Sequence, residues 1–356
     1  MIGAASFVLV VLAATLWGSM ALWVQRPLGV PFTYLLIVIW VLLALAACVL
    51  AGTGHWRGAL WFLAPAALMA AWWLTMQPAQ HRDWEPSVAR LLQGSVDGDT
   101  ATLHNVRNFH WRGPQDFDER WETRQYSLAA IRSVDMVLSY WSRTAIAHTL
   151  VSFGFADGDY LVFSVEIRRK RNDKFSELGG FFRQYELSIV AADEQDILRV
   201  RTNIRKEDGY LYRVNMAPDD MRALFVEYIN QANKLAETPR FYNTLTANCT
   251  TLVYRMVNRI VTGLPLDYRL LASGYLPEYL YELGALRGAA NMAEYREKGR
   301  YTDRARDEAS GLEFSRRIRL GVPGVAAETL ARGMPLAAPA APPDAPATET
   351  SRTPAP

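Results

Sequence analysis

Residues 241–256 read FYNTLTANCTTLVYRM and contain Cys249, one of two cysteines in a chain of 356 residues. Polar residues flank it, Asn248 before and Thr250 and Thr251 after. Leu252, Val253, Met256, Val257, Ile260 and Val261 then recur at the spacing of one helix face, and Gly263 and Pro265 supply a stop. Asn248 suits an N-cap, so the pattern predicts Cys249 at the first position of a helix. Unpaired amides and the helix dipole favour an anion there. A thiol in that place ionises more readily, and the thiolate is the nucleophile. The plain alternative is a small residue used for packing.

A nucleophilic thiol needs a base and a group that orients the base. Of the five histidines, His148 opens the run HTLVSFGF, in which no other side chain titrates. ADGD and YLVFSVEIRRK follow, and together these segments read as a β-hairpin. Folding about its turn brings His148 opposite Glu166 or Ile167, and one residue of register decides which. Glu166 is therefore a candidate orienter, with Ser164 as a second choice. A surface ion pair of Glu166 with Arg168 is the alternative.

The other segments predict a fold of the α+β class. VARLLQGSVDGDTATLHNVRNF reads as another hairpin, and RQYELSIVA and DILRVRTNI as further strands. PDDMRALFVEYINQANKLAE has helical spacing with Asp219 and Asp220 at its start. Strands followed by helices suggest an antiparallel sheet with helices packed on it. Residues 77–333 form this globular part. Residues 334–356 are rich in Pro and Ala, cannot bury a core, and read as a disordered tail.

The first 76 residues differ. No charged residue precedes Arg26, and the next is Arg57. Apolar runs cover 2–24, 32–51 and 59–76, with Trp17, Trp23, Trp56, Trp72 and Trp73 near their ends. Three membrane-spanning helices are expected, since about 20 apolar residues cross the hydrocarbon layer. The first run lacks the basic start of a signal peptide. One basic residue in each loop leaves the orientation undecided by charge.

Other features point elsewhere. A net charge of +2 excludes a strongly basic nucleic-acid-binding surface. Cys48 lies in the second apolar run, so a disulfide with Cys249 is not expected. His104 and His110 match no metal-binding spacing, and no metal or cofactor is called for. Arg107 and Arg112 are candidate contacts for an anionic head group, the alternative being ion pairs with the following DFDERWE. The run Arg168–Arg171 is either a solvated strand end or a contact for anionic lipid.

The segments HNVRNFHWR, AHTLVSFGF, FSVEIRRK, FRQYELSIVAADEQD and above all FYNTLTANCTTLVYRM resemble the Lnb-type N-terminal periplasmic domain family, in the same order over about residues 85–285. The resemblance implies a permuted papain-like thiol fold, with the histidine strand before the cysteine helix. The matching motif residues are His148 and Cys249. It also implies lipoprotein N-acylation and a periplasmic domain on a bacterial inner-membrane, multi-pass protein with its N-terminus inside. The expected function is a cysteine-dependent acyltransferase. It would move a fatty acyl group from a phospholipid to an amine through a thioester, with membrane lipids and lipoproteins as partners. Asn248, Thr250 and the amides at the helix start would position the substrate or hold the oxyanion. A papain-like amidase or peptidase of envelope substrates, and a non-enzymatic envelope binding protein, are the alternatives.

Overall fold

The computed structural model describes residues 2–306 and 311–326; the expected tail at 334–356 lies outside the described residues. Two long apolar helices come first, α1 (Ile2–Gln25) and α2 (Val30–Gly52). At about 1.5 Å per residue each exceeds the ~30 Å of a bilayer's hydrocarbon. They pack closely because small residues line their contact. Gly18 lies against the Trp40 indole, which has room only because no Cβ is present. The indole N–H donates to the Thr15 carbonyl at 3.2 Å.

The expectation of three membrane-length helices is corrected to two. The third run breaks into a turn of helix at Trp56–Ala59, a 3₁₀ turn at Leu60–Phe62, and a 13-residue helix α3 (Leu63–Thr75). Pro65 is the physical reason. It has no N–H to give the Trp61 carbonyl, and its ring crowds that carbonyl, so the chain just before it tightens. The domain-proximal ends of α1 and α3 meet on one turn of the globular part. Gln25 Nε2 donates to the Phe182 carbonyl at 2.5 Å. Arg183 donates to the Trp73 carbonyl at 2.6 Å and lies 4.6 Å above that indole ring.

The globular part is built on an eight-stranded sheet. Its strands are β1 (Gln93–Asp97), β2 (Thr100–Arg107), β3 (Trp121–Ser127), β4 (Ile131–Tyr140), β5 (His148–Phe155), β6 (Tyr160–Arg168), β7 (Glu186–Ala192) and β8 (Asp208–Val214). The spatial order is β1-β2-β7-β6-β5-β4-β8, with β3 also paired to β2. All neighbours run antiparallel except β2 and β7, which touch in parallel at Arg107 and Ala192. Both expected hairpins form. Their turns carry Gly98 and Gly158 at positive φ, the conformation that only glycine adopts without cost.

Alternation along the strands gives the sheet two covered faces. Val151, Phe153, Leu161, Phe163 and Val165 join Phe225 and Tyr228 of α4 (Pro218–Glu237) and Leu252 and Met256 of α5 (Thr251–Ile260) in one core. Leu150 and Val162 face the other way, against Tyr301, Phe314 and Ile318 near the C-terminal end of the described chain. Arg319 is fully buried there, donating to Asp135 of β4 at 2.9 Å and to Glu194 at 2.7 Å. This ion-paired contact holds the last described segment on the sheet.

The segment DILRVRTNI is not a strand. Glu194–Ile197 forms a helical turn and Val200–Ile204 a π-type turn. Tertiary contacts override β propensity here, because Ile197 and Leu198 are drawn into the second core and Val200 is buried as well. The strands β3, β4 and β8 were not expected from the sequence.

Phe225 shows how strongly the first core depends on α4. It is fully buried and meets Phe153, Phe155 and Phe163 edge-on, with centroids at 5.1, 6.0 and 5.2 Å. Phe225→Ala is expected to cost about 3–5 kcal/mol through lost burial and the cavity left behind. Denaturant unfolding of the full chain in detergent checks this.

Candidate active site

The site forms at the end of β5 where the strand begins. Register pairs Ser139 of β4 with His148 and Leu150 with Ser164 of β6. His148, Ser164 and Glu166 therefore share a face with Leu150 and Val162, the face opposite α4 and α5. Cys249 belongs to the core on the other face. The two sides meet only because His148 is the first residue of its strand, so the thiol reaches it around the sheet's end.

The contacts there are close. Cys249 stands near enough to His148 for the imidazolium charge to act on the thiol, and the Thr250 hydroxyl lies 3.9 Å from the sulfur. His148 Nε2 lies 2.7 Å from Ser164 Oγ and 3.1 Å from Glu166 Oε1. That engagement leaves Nδ1 as the ring nitrogen to face the thiol. The Ser164 hydroxyl donates to Glu166 at 2.7 Å, so it bridges acid and base. Behind them Arg201 donates to the same Glu166 oxygen at 2.8 Å and to Glu207 at 3.3 Å. The Ser139 hydroxyl completes the chain by donating to Glu207 at 2.5 Å.

The electrostatics favour a charged pair. Burial and the Arg201 charge press the His148 pKa down, but the Glu166 carboxylate and the Cys249 thiolate outweigh them and raise it to about 9. Burial pushes the Cys249 thiol up, yet the imidazolium and the hydrogen bonds to sulfur bring it below its usual value. Burial likewise opposes ionisation of Glu166, but His148 and Arg201 hold that carboxyl well below the normal range. All three directions favour the charged forms, a thiolate beside an imidazolium beside a carboxylate. Such a set can attack a carbonyl carbon and protonate the group that leaves.

The helix start differs from the sequence expectation. The helix begins at Thr251, and Cys249 lies in the turn before it. Asn248 acts as the cap, its Oδ1 accepting from the Thr250 and Thr251 amides at 2.9 and 2.7 Å. Those amides are thereby occupied and cannot hold an oxyanion, as the helix-start reading had them do. Among the described residues the Cys249 amide itself donates to no protein acceptor, which makes it the available oxyanion donor. The Asn248 side chain also donates to the Thr244 carbonyl at 2.6 Å, and the Thr244 amide to the Gly180 carbonyl at 3.3 Å. This short path ties the thiol's turn to the same loop, Gly180–Arg183, that holds α1 and α3.

The two arginines proposed for a head group are committed elsewhere. Arg107 is buried and makes a double contact with Asp196 at 2.8 and 3.0 Å. Arg112 pairs with Asp116 and Asp118, both at 2.7 Å, as the ion-pair alternative had it. In the run at 168–171, Arg168 turns inward over Trp84 and donates to the Ala89 carbonyl at 2.6 Å, and Arg171 pairs with Asp83. Arg201, Glu207 and Ser139 were missed. No local pattern marks them, since they come from three separate elements and meet only in the folded sheet.

Two outcomes are expected. Cysteine reactivity and turnover should rise with pH through a depressed thiol pKa, and turnover should fall as pH passes about 9, where His148 loses its proton. Glu166→Gln should lower the upper limit of that window, since the carboxylate that raises the His148 pKa is gone, which pH-rate profiles with iodoacetamide and substrate will measure. Arg201→Ala should destabilise the domain by about 3 kcal/mol by removing the cation that Glu166 and Glu207 share, read as a lowered denaturation midpoint.

No curated protein and no solved structure matches the chain. A family model does, at residues 117–274, a stretch that contains His148, Ser164, Glu166, Arg201 and Cys249. The stretch that carries the candidate site therefore matches the Lnb N-terminal periplasmic domain, the family that the sequence motifs resemble.

Proposed function

We propose that the protein is a membrane-anchored periplasmic thiol acyltransferase of the permuted papain-like kind. The observation that carries this reading is the buried Cys249 thiol beside His148, with Glu166 and Ser164 bonded behind the imidazole. In chain order the histidine strand precedes the cysteine turn, as a permuted arrangement requires. The path of contacts from the thiol's turn to the ends of α1 and α3 suits a substrate that sits in the bilayer.

The reaction follows from the charges. The Cys249 thiolate adds to an ester carbonyl of a phospholipid, and the Cys249 amide donates to the oxyanion. The C–O bond breaks, the alkoxide takes the proton from His148, and lysophospholipid leaves. A thioester remains on Cys249. An amine, such as the amino-terminal group of a lipoprotein, then attacks that carbonyl and gives its proton to neutral His148. The C–S bond breaks, the thiolate is restored, and an amide is the product. Glu166 stabilises the imidazolium at both stages, and Arg201 keeps Glu166 ionised.

Cys249→Ala should abolish transfer while the fold persists, since the new side chain is small as well. Cys249→Ser should be nearly inactive, because an unactivated hydroxyl is a far weaker nucleophile. Mass spectrometry of lipoprotein amino termini, and of lysophospholipid released by purified protein, reads both. Full activity in Cys249→Ala would overturn the proposal, and fatty-acid release without any N-acyl product would make the enzyme a hydrolase. A periplasm-active reporter fused after Arg90 is expected to be active, and activity only from a cytoplasmic reporter would misplace the reaction.

A further inference from the structure

A cavity of about 830 Å³ opens where the globular part meets the membrane helices. One wall is the end of α1, with Trp23 and Arg26; the other is the loop from Lys170 to Gln184 together with Phe241. Its volume lies within the range of small-molecule sites. Its lining holds five cations, Arg26, Arg82, Lys170, Lys174 and Arg183, against the single carboxylate of Asp173.

Not all of these cations are free to meet a ligand. Arg82 pairs with Glu186 at 3.3 Å. Arg183 gives hydrogen bonds to the Trp73 and Met76 carbonyls. Arg26 lies over Trp23 and donates to its carbonyl. Lys170 and Lys174 make no ion pair among the described residues. A cavity with this excess of positive charge selects an anion. Its rim is apolar: Phe175 and Leu178 are 54% and 45% exposed, and they stand beside the end of a membrane helix. Exposed apolar side chains, an interfacial tryptophan and lysines on flexible stems together describe a surface at the head-group level of a bilayer.

We infer that this cavity binds the phosphate of a glycerophospholipid head group, with Lys170 and Lys174 as the principal contacts and the acyl chains leaving past Phe175 and Leu178. The inference rests on the acyltransferase reading for its role. Phe241 lines the cavity, and the next residue, Tyr242, packs against the core that contains Cys249. A lipid held by its phosphate here would stand beside the thiol's turn.

The test separates binding from catalysis by using the full chain with Cys249→Ala in neutral-lipid nanodiscs. Titration would compare short-chain phosphatidylglycerol, the matching diacylglycerol and inorganic phosphate, with native mass spectrometry counting bound molecules. Saturable binding of phosphatidylglycerol is expected, with diacylglycerol and inorganic phosphate each at least about tenfold weaker. The pair Lys170→Glu and Lys174→Glu should weaken phosphatidylglycerol by about tenfold or more, since charge-assisted bonds become repulsion. The pair Lys170→Arg and Lys174→Arg should retain binding. If the glutamate pair does not fold, the same loss is expected of Lys170→Gln with Lys174→Gln. Unchanged affinity in the glutamate or glutamine pair, or equal binding of diacylglycerol, would overturn the site. Inorganic phosphate binding as tightly as the lipid would make it a site for free phosphate and overturn the lipid assignment. Loss of acyl transfer in other assays bears on the thiol and leaves this result standing.

Discussion

The candidate site depends on keeping Glu166 ionised inside the protein. A buried carboxylate prefers to be neutral, and a neutral Glu166 would leave only the thiolate to offset the burial of an imidazolium. Arg201 and His148 supply the two cationic contacts that hold it charged. Glu207 in turn neutralises the rest of Arg201, and the Ser139 hydroxyl bonds to Glu207. The chain thus alternates in sign from the thiolate inward. Removing one link leaves its neighbours as unpaired buried charges, which costs far more than the link is worth as a surface ion pair. The same alternation explains why the shifts of Cys249, His148 and Glu166 have compatible directions.

Geometry explains why the thiol and the base can meet at all. The strand alternation that makes β5 a good core strand sends His148 to one face while Cys249 packs with the core of the other. Only at the strand's first residue does no sheet intervene. Asn248 then sets the turn before α5 so that Cys249 stands outside the helix with its own amide unused. The loop at Gly180–Arg183 does two things at once, since it receives the Thr244 amide on the thiol side and grips α1 and α3 on the membrane side. Gly180 is required there, because a Cβ would strike Thr244 Oγ1 and crowd Tyr242.

The patterns legible in the sequence were those written within one element or one turn. Apolar length announced α1 and α2, glycine turns announced both hairpins, and the periodicity of 218–237 and 252–261 announced the helices that pack on the sheet. Hairpin folding also brought Glu166 and Ser164 to His148, because a tight turn propagates its register only a few residues. The third apolar run did not form one membrane-length helix because hydropathy does not count the hydrogen bond that Pro65 removes.

What the sequence determined by itself was therefore local: two membrane-length helices, a hairpin that presents His148 with Glu166, and a capped turn that presents Cys249. Tertiary structure alone decided that these two presentations face one another around a sheet end, and that Arg201 and Glu207 stand behind them. It also turned Arg107 and Arg168 inward while leaving Lys170 and Lys174 on a cavity beside α1. The physical reason is that charge partners are chosen by proximity in space. A guanidinium 35 residues beyond Glu166 carries no periodicity and no spacing that would mark it. Its role appears only when the low dielectric of the folded interior makes every unpaired charge costly and the chain must supply a partner.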